Sequence, residues 1–143
     1  MKKKIVKEFI RKVWNEGDIE AISDFIGSKY TIHHDPDDPW EGMTLDMQAF
    51  KDRVSKSRAP FPDQRFDVQE IFENEHGVAI TWLWSGTHSE DFAGFPASEK
   101  QIKMSGATVY YFEANQITGH WQITDRLSVF RQLQQASAKP DKK

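Results

Sequence analysis

The chain has 143 residues and a hydrophobic share of 38%, about one domain's worth and below the roughly 45–50% apolar content of an average globular protein. A mean hydropathy of -0.69 and short apolar runs exclude a membrane-spanning helix, which needs about 20 apolar residues. With 19 basic against 22 acidic residues there is no excess positive charge for nucleic acid, and with no cysteine there are no disulfides, thiolate nucleophiles or cysteine-held metals.

In chain order, Ile5, Val6, Phe9, Ile10, Val13 and Trp14 recur at i, i+3, i+4 and predict an amphipathic helix over residues 2–14. Its charged start, interrupted by Lys7 and Glu8, does not read as a signal peptide, and the expectation is a cytoplasmic protein. Gly17 is a stop, Asp18 the N-cap of a second helix with Ile19, Ile22, Phe25 and Ile26 on its apolar face, and Gly27 its end. Residues 29–34 predict a short strand, and residues 35–39, with two prolines and three aspartates, a loop. Thr44 caps a predicted third helix running to residue 58, with Met47, Phe50 and Val54 inward.

After Pro60 and Pro62 the period changes from 3.6 to 2. Strands are predicted near 65–73, 78–88, 100–112 and 117–125, then a helix over 126–136 and a polar, disordered tail over 137–143. Helices followed by hairpin-connected strands predict a single α+β domain with helices packed on a mainly antiparallel sheet. In Thr81-Trp82-Leu83-Trp84 apolar side chains point both ways, which predicts a sheet covered on both faces, the outer one by a second subunit.

Phosphate loops, dinucleotide fingerprints, nucleophile elbows and HExxH helices are missing, so no cofactor is expected; no histidine pair has helical metal-ligand spacing, so no metal is expected either. Asp125 shares strand parity with Trp121 and Ile123, which puts a carboxylate on an apolar face. Two readings stand. Asp125 caps the following helix, or an apolar wall disfavours its anion and lets it take and return a proton near neutral pH. His34 and His88 lie near strand ends beside loops, and His88 has the parity of Trp82 and Trp84. Of His33 and His34 one must face in and one out, and Tyr110 and Tyr111 pose the same choice. Trp82, Trp84 and Trp121 suit core or dimer contacts singly, yet three indoles in a small domain imply a concave surface nearby.

Several phrases occur in a characteristic order: Val13-Trp14-Asn15-Glu16-Gly17-Asp18, the segment 30–36 with its His-Asp-Pro, Phe61-Pro62-Asp63, Gly86-Thr87-His88, Gly94-Phe95-Pro96, and Gly119-His120-Trp121 leading to Asp125 and Leu133. Over residues 5–135 the chain thereby resembles the SnoaL-like polyketide cyclase (ester cyclase-like) family of the nuclear transport factor 2-like superfamily. The resemblance implies a cone-shaped α+β barrel around an apolar cavity, in a homodimer formed through the outer sheet face. It also implies an aspartate, matching Asp125, as general acid/base in an intramolecular aldol closure without metal or cofactor. His33 stands where some cyclases have an asparagine that helps bind substrate.

The leading expectation is therefore a cofactor-free enzyme acting on a small hydrophobic carbonyl compound, with Asp125 catalytic and His33, His34, Trp82, His88, Tyr110 and Trp121 contacting substrate. A non-catalytic binding module of the same fold is the alternative. An epoxide hydrolase-like site would need a second carboxylate across the pocket with an arginine between; Arg126, next to Asp125, is expected to point away.

Overall fold

A computed structural model describes residues 1–137; the tail expected at 137–143 lies, from 138 on, outside the described residues. The first helix is α-helical over Lys2–Phe9 (α1) and widens to a π-helical segment over Ile10–Asn15. Its stripe is buried as the periodicity predicts, with Val6, Phe9 and Val13 fully covered. Gly17, at φ +72°, ends it beneath the Arg58 guanidinium, which donates to the freed carbonyls of Trp14 and Asn15 at 3.0 and 3.1 Å. A β-carbon on Gly17 would stand 2.4 Å from that guanidinium.

The second predicted helix is a 3-10 segment, Ile19–Asp24, capped by Asp18. It stops early because Phe25 and Ile26 join the sheet: the Phe25 carbonyl accepts from Ile117 N, and strand β1, Ile26–His34, starts three residues before its predicted position. Gly27 is thus a strand residue, not a helix end. Thr44 likewise pairs with β1, in the two-residue strand β2, Thr44–Leu45, and the cap of the next helix (α2, Met47–Arg58) is Asp46, which accepts from Ala49 N at 2.8 Å. Strands β3 (Arg65–Glu73), β4 (Gly77–Thr87), β5 (Gln101–Glu113) and β6 (Gln116–Thr124) and helix α3 (Arg126–Ser137) lie where predicted to within a residue.

The sheet runs β2-β1-β6-β5-β4-β3, antiparallel except for the parallel pair β1 and β6, and it does not close. Register shifts in the β1/β6, β3/β4 and β5/β6 ladders add the bends a wrapped sheet requires. Helices pack inside the curve in an α+β cone-like fold. Trp82 and Trp84 both face this interior, while Leu83 faces out at 51% exposure, so β4 alternates in the ordinary way. Phe9, Phe50 and Tyr30 pack ring against ring in the core, with Tyr30 and Phe50 centroids 4.7 Å apart. Among the described residues no helix is long and apolar enough to cross a membrane.

Candidate functional site

The loop after β1 builds the site. The Asp35 amide donates to Glu41 Oε2 at 2.8 Å, the Asp38 amide to the Asp35 carbonyl at 3.0 Å, and the Trp40 amide to Asp38 Oδ1 at 2.8 Å. The Asp-Pro-Asp-Asp-Pro run therefore turns back on itself. This sets Asp35 behind the wall of a cavity and Asp38 and Trp40 in it.

Asp35 has no exposed surface, and four side chains from three elements converge on it. Oδ2 accepts from His120 Nε2 at 2.9 Å, Gln122 Nε2 at 3.1 Å and Arg53 Nη2 at 3.4 Å; Oδ1 accepts from Arg126 Nη2 at 3.4 Å. Arg53 and Arg126 also approach Asp38 Oδ2, at 3.3 and 3.7 Å, so two carboxylates are balanced by two guanidinium groups. The other nitrogen of His120, Nδ1, lies 2.6 Å from the Tyr30 hydroxyl. With a carboxylate on Nε2, the consistent arrangement has Nε2–H donating to Asp35 and Nδ1 accepting from Tyr30. A second chain, Trp82 Nε1 to Thr108 Oγ1 (2.9 Å) to Gln122 Oε1 (2.6 Å), runs to the same hub.

Proton occupancy follows from this packing. Burial pushes the Asp35 carboxyl up, but the His120 hydrogen bond and the Arg53 and Arg126 charges outweigh it and hold it below its ordinary value. Burial pushes His120 down, past what the Asp35 hydrogen bond restores, so the neutral ring is favoured. Burial also drives the Tyr30 and Tyr110 hydroxyls well above their ordinary value, which keeps both protonated.

The cavity, about 430 Å³, is walled mainly by Trp14, Trp40, Phe66, Trp82 and Trp84, and Tyr30, Tyr110, His120, Arg53, Arg126 and Asp38 are among its polar groups. Of the residues given a catalytic or substrate-contacting role from the sequence, Trp82 and Tyr110 line it, and Asp125, His33, His34, His88 and Trp121 do not. Asp125 is exposed, and its Oδ1 accepts from Ser128 N at 3.1 Å, the geometry of a cap on α3. Trp121 and Ile123, whose face it was expected to share, are 41% and 44% exposed on the outside of the sheet. Both histidines of β1 also stay outside. The His34 ring stacks on Trp121 at 4.4 Å, and His33 meets Tyr111 edge-on at 5.2 Å; the register shift between Ile32 and His34 breaks the alternation that would turn one inward. His88 is buried but sits behind Phe61, its Nδ1 3.0 Å from Ser98 Oγ and its Nε2 without a partner.

Sequence reasoning missed Asp35, His120, Arg53 and Arg126. The signal for His120 was its opposite parity to Trp121: His120, Gln122 and Thr124 form the polar face of β6, and that face points inward because it lines a cavity and not a dry core. Arg126 does not point away; as the first residue of α3 it folds back, Nε donating to the Pro36 carbonyl at 2.8 Å. The carboxylates it bridges, Asp35 and Asp38, come from one loop and not from opposite walls, which departs from the epoxide hydrolase-like layout. Among the described residues no group of three or more His, Asp or Glu side chains is arranged to hold a metal ion.

Residues 4–133 match the SnoaL-like polyketide cyclase family. The chain belongs to that family. A protein from Acidithiobacillus ferrooxidans, whose crystal structure is named "putative polyketide cyclase", is 58% identical over 94% of this chain and 95% of its own, with a TM-score of 0.91. IdmH from Streptomyces antibioticus, named in the same words, is 25% identical over 93% and 98% of the two chains, with a TM-score of 0.78. AclR from Streptomyces galilaeus, named a "putative hydroxylase", shares the fold at 16% identity, covering 94% and 96%, with a TM-score of 0.78. No curated protein matches the chain. The SnoaL-like scaffold thus carries proteins given different reaction names, and the choice among reactions rests on the groups in the cavity.

Proposed function

We propose that this SnoaL-like protein is a cofactor-free enzyme that moves a proton on and off a carbon next to a carbonyl, in a small hydrophobic compound, as the first step of an aldol-type closure or isomerisation. The observation that carries this reading is the unbroken chain Tyr30–His120–Asp35, with contacts of 2.6 and 2.9 Å, ending at the wall of an apolar cavity.

The Tyr30 oxygen accepts the substrate C–H proton as its own proton passes to His120 Nδ1. The C–H electron pair moves into the enolate, and the imidazolium so formed is paired with the Asp35 carboxylate. Because burial disfavours tyrosinate, the two transfers occur together and the phenol stays neutral throughout. Reversal returns the proton to carbon, or to the alkoxide left by ring closure. Asp125 takes no part in this scheme; it caps α3. A cytoplasmic location and a homodimer formed through the outer sheet face belong to the same proposal, the dimer supported by exposed Leu83, Trp121 and Ile123.

The test uses α-tetralone, a neutral bicyclic ketone, and follows deuterium exchange at its α-carbon by NMR. Catalysed exchange should fall by about 100-fold or more in Tyr30→Phe and in His120→Asn. Wild-type rates in both variants would overturn the relay, and ketone binding without any catalysed exchange in the wild type would favour the non-catalytic module.

A further inference from the structure

An enolate needs a partner for its oxygen as much as a base for its proton, and the relay supplies only the second. Tyr30 has spent its hydrogen on His120. Arg53 and Tyr110 are among the cavity-lining side chains that keep a donor no described residue accepts, and Thr124 Oγ1 is a further unpaired hydroxyl there. The Arg53 guanidinium lies over the indoles of Trp14 and Trp40, 5.4 and 5.7 Å from the ring centroids. Its Nη2 holds Asp35 and Asp38; its Nε is buried and unpaired, and its Nη1 has no hydrogen bond to a described residue. The Tyr110 hydroxyl likewise makes no hydrogen bond to a described residue, although Tyr110 is 5% exposed and packs 6.3 Å from the His120 ring. Arg53, Tyr30 and Tyr110 all line this one cavity.

A donor left unpaired on a side chain as buried as Arg53 or Tyr110 is costly unless an occupant supplies the acceptor. The geometry points to Arg53 Nη1 and the Tyr110 hydroxyl as the seat for the substrate oxygen that becomes anionic, so the ligand class is a planar, apolar carbonyl compound bound best as its enolate. The aspartates already neutralise both arginines. A neutral ketone therefore enters without a charge penalty, and the negative charge appears only in the transition state, where a fixed cation and a neutral phenol meet it with no reorganisation. The two indoles hold the guanidinium plane in place, which a flexible lysine could not reproduce.

This inference rests on the proton-relay reading, and the experiment separates the two. The probe is 4-nitrophenol, whose coloured anion reports by absorbance whether it is bound as phenol or phenolate. The wild type should favour the phenolate by about tenfold or more, and Tyr110→Phe and Arg53→Lys should each lose most of that preference. Tyr30→Phe, which breaks the relay, should keep it while losing α-tetralone exchange. Exchange at the wild-type rate in Tyr30→Phe, with the preference still dependent on Tyr110, would remove the relay and leave the seat standing. A wild type that does not favour the phenolate, or a preference unchanged in both Tyr110→Phe and Arg53→Lys, would overturn the seat. Because Arg53 also holds two aspartates, Tyr110→Phe carries the test alone should Arg53→Lys fail to fold.

Discussion

At the scale of single residues, two aspartates that each directly follow a strand end have opposite fates. Asp125 closes one helix, and Asp125→Ala should cost about 1 kcal/mol in urea denaturation while leaving exchange intact. Asp35 gathers His120, Gln122, Arg53 and Arg126, and Asp35→Asn should remove about 3 kcal/mol and abolish exchange, because the buried Arg53 and the partly exposed Arg126 lose part of their counter-charge. The same residues set the response to acid. His120 resists the proton that the unfolded chain accepts below about pH 6.5, so stability starts to fall there as pH drops. The Asp35 contribution, complete above the ordinary carboxylate range, is lost in a second stage as pH falls through its lowered value. Urea midpoints measured across pH should show both stages, and His120→Asn should erase the first. Exchange needs neutral His120, so its rate should hold below pH 6.5 and drop only at the lowered value.

At the scale of elements, the site depends on how the first helix ends and how β5 meets β4. Asn15, the last residue of the π-helical segment, donates Nδ2 to the Phe66 carbonyl at 3.0 Å and accepts from the Phe66 amide at 2.7 Å, which fixes β3 against the helix and Trp14 in the cavity wall. Asn15→Ala should cost about 2 kcal/mol, since it leaves two backbone groups of an edge strand unpaired. On β5, Gly106 lies opposite Trp82, and a β-carbon there would stand 2.3 Å from the indole and 2.7 Å from the Ile123 carbonyl. Gly106→Ala should therefore push Trp82 into the cavity, costing about 1–3 kcal/mol and shifting tryptophan fluorescence.

At the scale of the whole molecule, the outer sheet face remains apolar across β4, β5 and β6. Leu83, Ile123 and Trp121 are exposed there, with Ser105, Ala107 and Val109 opposite them in the ladders, and no helix among the described residues covers them. A patch of this kind suits a second copy of the chain. Light scattering at micromolar concentration should give a dimer, and Leu83→Lys with Ile123→Lys should give a monomer with the cavity unchanged. A monomeric wild type would end that proposal.

Local pattern was enough to read most elements. The strand over residues 65–73, the strands closing at Thr87 and Thr124 and the final helix are visible because period, turn residues and caps are local quantities. Where local and long-range demands competed, the sheet won: Ile26 and Thr44 left their expected helices to pair with β6 and β1. Alternation also tells that a strand has two faces without telling which is inside. On β6 the apolar face, Trp121 and Ile123, turned outward and the polar face, His120 and Gln122, turned inward. The amino-acid sequence by itself determined the order of elements, the aromatic supply and the family. Only the tertiary structure decided that Asp35, far from Asp125 in the chain, is the buried carboxylate, because the contacts that bury it join residues 18 to 91 positions away.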